Sequence, residues 1–106
     1  MDERQKIIDV VHTAKRSMDS TTDRNLRALC RAVELVGNSL LQTADSFKEL
    51  YNIECLSEYI EGSIYGKVCG FNQLAILLSM FFDGVKLVTI DADKLKDKLK
   101  GESVDE

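Results

Sequence analysis

Residues 24–51 read RNLRALCRAVELVGNSLLQTADSFKELY. Within them Leu26, Leu29, Val33, Val36, Leu40, Ala44, Phe47 and Tyr51 recur at steps of three or four, the spacing of one helix face. Unbroken, this pattern is a rod of about 30 residues and about 45 Å, at 1.5 Å per residue. Gly37-Asn38-Ser39 is its one weak point, where the chain could kink or break; one long helix, bent there at most, is the expectation. A rod of that length needs other helices along it, and the rest of the chain supplies them.

Upstream, Ile7, Val11, Ala14 and Met18 trace a second amphipathic stripe. Ser20, Thr21, Thr22 and Asp23 then offer N-cap residues for the long helix. Downstream, Ile60, Ile64, Val68, Phe71, Ala75, Leu78 and Phe82 form a third stripe. Gly62, Gly66 and Gly70 repeat every four residues on nearly the opposite face. Three interior glycines cost about 1 kcal/mol each relative to alanine. Either a loop falls within 62–70, or a neighbouring backbone packs along the glycine ridge. Residues 74–82 are apolar nearly all round, as in a central, buried helix.

Asp83-Gly84 closes that pattern, as a helix end or as a hairpin turn with strand at 80–82. The β-branched run at 85–90 (VKLVTI) predicts a short strand. Asp91-Ala92-Asp93 caps a last helix carrying Leu95 and Leu99, stopped by Gly101, with 102–106 as a flexible acidic tail. The expected fold is therefore all-α: one domain over 1–101, a bundle of four or five helices with a long second helix and one short strand. A lone strand leaves backbone groups unpaired, and the simplest partner is the same strand of a second copy. Val85 and Leu87, with Gly62, Gly66 and Gly70, are the candidate packing residues of such a homodimer or higher oligomer.

Composition narrows the function classes. The chain has 106 residues, 44% hydrophobic and 30% charged, with no proline, which fits a single globular domain and excludes disorder. The net charge of -4 and pI near 5.0 disfavour duplex DNA as a partner. Three cysteines, Cys30, Cys55 and Cys69, are too few and too far apart for a disulfide scaffold, and no apolar leader opens the sequence. A cytoplasmic protein with free thiols is the expectation. Residues 62–82 carry only Lys67 as a charge, but their apolar part is short, so no membrane is expected.

All five arginines lie in the first 31 residues, and Arg24, Arg27 and Arg31 share one face of the long helix. Arg16 ends the helix before it. Guanidinium forks suit phosphate or carboxylate, so these four residues are the candidate site for an acidic protein, a nucleotide or RNA. Asp9 sits one turn before His12, the only histidine, but no nucleophile motif accompanies the pair. The cysteine spacing offers no zinc site. Glu54, Glu58 and Glu61 form a carboxylate stripe able to hold Mg²⁺. Glu58-x-x-Glu61 is similar to the first acidic pair of the all-α MazG-type nucleotide pyrophosphatases. Residues 63–82 contain no acid to supply the second pair, so the resemblance stops at half a motif.

These features favour a non-enzymatic helical interaction module: an adaptor, regulator or inhibitor that binds another protein and needs no metal or cofactor. An accessory protein of a phage or mobile element suits the size. The alternatives are an oligomeric binder of a nucleotide or other small anion, with arginines lining an interfacial pocket, and a Mg-dependent phosphohydrolase built on the carboxylate stripe.

Overall fold

A computed structural model describes residues 2–50, 53–82 and 84–104. It is all-α, with four helices: α1 (Glu3–Ser20), α2 (Arg24–Leu50), α3 (Glu54–Phe81) and α4 (Ala92–Val104). Tyr51 and Asp83 lie outside the described residues, as do the side chains of Glu54 and Cys55.

Three aspartates start three helices. Asp2 accepts from the Gln5 amide at 2.7 Å, Asp23 from Asn25 and Leu26 at 2.8 and 3.1 Å, and Asp91 from Asp93 and Lys94 at 3.0 and 3.2 Å. Each meets donors that a helix start leaves unpaired. α2 is the axis of the bundle. α1 and α3 run antiparallel to it, as Arg4–Asp45 (3.3 Å) and Lys67–Thr43 (2.7 Å) fix. α4 touches all three, and Leu95 and Leu99 go into the core. At 27 residues α2 spans about 40 Å, close to the molecule's longest dimension of 47 Å.

α2 is one long helix, as expected, and runs unbroken through Gly37. There α1 and α3 both press on it: an added Cβ would meet Val11 Cγ2 at 2.4 Å and Phe71 Cε1 at 2.9 Å. Close approach, not flexibility, accounts for this glycine. The glycines of α3 behave oppositely. Gly62, Gly66 and Gly70 have no heavy atom within 4 Å of the Cβ position, so no neighbouring backbone packs on them. Nor does a loop interrupt them. Ile60, Ile64, Val68, Phe71, Ala75 and Leu78 are buried along the opposite face. At about 1.5–3 kcal/mol for each large side chain, that burial outweighs about 3 kcal/mol of glycine cost.

Three further expectations are corrected. Residues 80 and 81 are helical, so no hairpin forms; α3 ends at Phe82, whose N–H reaches the Leu78 carbonyl at 3.1 Å, and Gly84 turns the chain at φ +82°. Residues 85–90 run extended but form no strand among the described residues. The Asn72 side-chain amide replaces a ladder partner: it donates to the Ile90 carbonyl at 2.9 Å and accepts the Ile90 N–H at 2.8 Å. Lys86, Leu87 and Thr89 are exposed, where water meets backbone groups. Finally, α4 continues through Gly101 to Val104; 105–106 lie outside the described residues.

The start of α4 is tied to the start of α1. Glu3 is buried, and its carboxylate accepts from Lys6 Nζ at 2.9 Å and from the Asp91 N–H at 2.7 Å. Lys98 adds an ion pair to Asp2.

Candidate functional site

Two surfaces stand out, and both lie on long helices. The first is the outer face of α3. Residues 74–82 are not the buried centre that their composition suggests, because α2 holds that place. Tyr59 (76% exposed), Met80 (70%), Phe81 (57%), Ile76 and Leu77 (41% each) face outward. Gly62, Gly66 and Gly70 continue the same face towards the helix start. The one charge in 62–82, Lys67, turns to Thr43 on α2 and leaves this face. Within Glu58–Phe81 an 18-residue window reaches a mean hydropathy of 1.3 with 28% of that window buried, so by length and composition alone the helix could cross a membrane.

The second surface is the arginine row. Arg24, Arg27 and Arg31 are exposed on α2, and none forms an ion pair or side-chain hydrogen bond among the described residues. Asp23 and Glu34, the nearby acids, do not engage them. Asp23 is spent on its cap. The row also opposes the helix dipole: Arg24 and Arg27 sit in the positive first turns of α2, which contain no acid. Each such placement costs about 0.3–1 kcal/mol. These arginines are therefore not there to stabilise the helix.

Arg16 is separate from the row. It is exposed near the end of α1, 3.4 Å from Thr13 Oγ1, and lines a cleft of about 320 Å³ with Asp9, Lys86 and Val85. The structure thus divides the four predicted arginines into a row of three and one cleft residue. Val85 is half-buried against the core and Leu87 is 54% exposed.

Among the described residues the other sequence candidates stand apart from one another. His12 is exposed, and Asp9 accepts from Gln5 Nε2 at 3.0 Å rather than orienting the imidazole. Cys30 is fully buried, which pushes its thiol pKa up. Cys69 is exposed. Glu58 is exposed, Glu61 half-buried, and Asp45 is paired with Arg4. Among the described residues no three His, Cys, Asp or Glu side chains converge on a point that would hold a metal.

One polar cluster escapes a reading by sequence. Tyr65 on α3 donates to Asp93 on α4 and accepts from Lys96 Nζ at 2.7 Å. The ammonium also lies 5.0 Å from the Tyr65 ring centroid. That hydrogen bond first, and the charges of Glu61 and Asp93 after it, hold the Lys96 pKa above the ordinary lysine range. The cluster joins α3 to α4 through residues 28 apart in sequence, a separation that no local spacing reveals.

Comparison with protein-family models, with curated proteins and with solved structures returns no match.

Proposed function

We infer that this chain is a small cytoplasmic interaction module, an adaptor, regulator or inhibitor that acts by binding another macromolecule rather than by catalysis. The observation that carries this reading is the arginine row: three exposed guanidiniums at helical spacing, unpaired among the described residues and set against the dipole of their own helix. Such a row is matched by carboxylates or phosphates on a partner, and an acidic protein surface is the partner favoured.

The test is affinity capture with the full chain and with a variant carrying Arg24→Glu, Arg27→Glu and Arg31→Glu. Those positions are exposed, so the variant keeps its helicity by circular dichroism. Loss of the same captured protein from the variant supports the reading. An unchanged set of captured proteins removes the row from consideration.

A second reading, binding of a nucleotide or other small anion, is favoured by one observation: Arg16 and Lys86 line the same cleft. A rise in Tm on adding ATP or inorganic phosphate, absent in Arg16→Ala, supports it. Equal Tm values with and without these anions reject it.

A further inference from the structure

We propose that the outer face of α3 is covered by a second copy of this chain, the two α3 helices packing antiparallel across a two-fold axis between Phe71 and Asn72. The proposal concerns a different surface from the arginine-row reading and goes beyond it.

Shape is the first argument. Along its outer face α3 has two unlike halves. Gly62, Gly66 and Gly70 make a trough, open for at least 4 Å above each Cβ position. Leu77, Met80 and Phe81 make a ridge of exposed apolar side chains. An antiparallel pair centred between 71 and 72 sets Gly62 opposite Phe81, Gly66 opposite Leu77, and Gly70 opposite Gln73. Each ridge then fills the partner's trough, and an isologous contact makes the match twice. Parallel pairing sets Phe81 on Phe81 and holds the two glycine troughs apart.

Charge is the second argument, and it selects the same orientation. Because α2 is antiparallel to α3, the level of Arg24, Arg27 and Arg31 is the level of the α3 ridge. The level of Asp45 and Glu49 is that of the glycine trough. Residues 15–36 carry five basic and three acidic groups, whereas 41–66 carry one basic and five acidic. One end of the bundle is thus net positive and the other net negative. Antiparallel pairing lays the positive end of each copy beside the negative end of the other, while parallel pairing opposes like ends.

The third argument concerns the occupant. Between residues 62 and 81 this apolar face directs no charge outward, and an exposed patch of that length calls for cover. A foreign helix has to match a trough at one end, a ridge at the other and the charge of both ends. A second copy meets all of these by symmetry.

Sedimentation equilibrium of the full chain between about 1 and 200 μM is the measurement. The expected result is a dimer whose Kd rises at least tenfold in Gly66→Leu, which fills the trough, and in Leu77→Asp, which removes the ridge. Both positions are exposed, so helicity and low-concentration Tm report that the fold persists. Register is read by spin labels in a chain carrying Cys55→Ser and Cys69→Ser: Gln73→Cys labels lie close together, and Glu58→Cys labels lie about 40 Å apart along the axis at 1.5 Å per residue. A chain that stays monomeric at 200 μM overturns the proposal. So does a dimer indifferent to both substitutions, or one whose Glu58 labels are as close as its Gln73 labels. Flotation of a monomer with phosphatidylcholine vesicles also overturns it and assigns the face to lipid. Because the arginine row also sets the charge of one end, its glutamate variant is sedimented as well; capture that is lost there but kept in Gly66→Leu and Leu77→Asp separates the two readings.

Discussion

A methyl group added at Gly37 has nowhere to go, because Val11 Cγ2 would stand 2.4 Å away and Phe71 would close the other side. Gly37→Ala is expected to destabilise by about 1–3 kcal/mol through overpacking. Thermal denaturation reads this as a fall in Tm of roughly 4–8 °C per kcal/mol. The same substitution at Gly66 meets open space. There it is expected to stabilise by up to about 1 kcal/mol, measured at a concentration where the chain is monomeric. The cysteines divide in the same way. A thiol reagent added to the native chain labels Cys69 at once, and Cys30 only on unfolding, because Cys30 is buried and its pKa is raised. Peptide mass mapping over a time course checks this. Asp2 carries a pH effect. Its bond from Lys98, and then its cap bond from Gln5, hold its carboxyl below the ordinary aspartate pKa. A depressed carboxylate contributes stability at neutral pH that is lost as pH falls through the folded pKa. Below about pH 4 the native chain therefore loses stability more steeply than Asp2→Asn, as urea midpoints across an acid series will show.

At the scale of the elements, the 85–90 segment depends on one side chain of α3. Asn72→Ala leaves the N–H and C=O of Ile90 without their partners, at a cost of about 1–3 kcal/mol. Faster hydrogen exchange at the Ile90 amide, beyond that at core amides of α2, is the expected signature. This contact also shows where the sequence is opaque. The stripes of α1, α2 and α3 are legible because burial repeats every three or four residues along one chain, and Ile7, Val33, Leu40, Phe47, Ile64 and Phe71 are buried as their spacing implies. A β-branched run such as 85–90 reads as strand because propensity is local. Whether a ladder partner exists is not local, and here an asparagine 18 residues away supplies the pairing. The ends of α3 mislead for a related reason. An apolar circumference shows that a helix needs cover on every side, not that its own chain provides it.

Taken whole, the molecule is a flattened rod of 47 × 24 × 17 Å, sorted by charge along its length. The arginine row is legible in the sequence from spacing alone. Its lack of partners is not, because that depends on where Asp23 and Glu34 direct their side chains. The sorting by ends is likewise hidden until the antiparallel course of α2 and α3 is known. Glu3 adds a property of the molecule's making. Its carboxylate is completed by an amide 88 residues later, and Asp2 next to it by Lys98. A ribosome making this chain releases α1 well before the group that satisfies it. Until residue 91 emerges, the Glu3 carboxylate has Lys6 but not the Asp91 amide as a donor. α4, made after the other three helices, thus ties down the start of α1. A circular permutant joining the two ends and opened at Gly84 keeps every one of those contacts while reversing the order in which they become available.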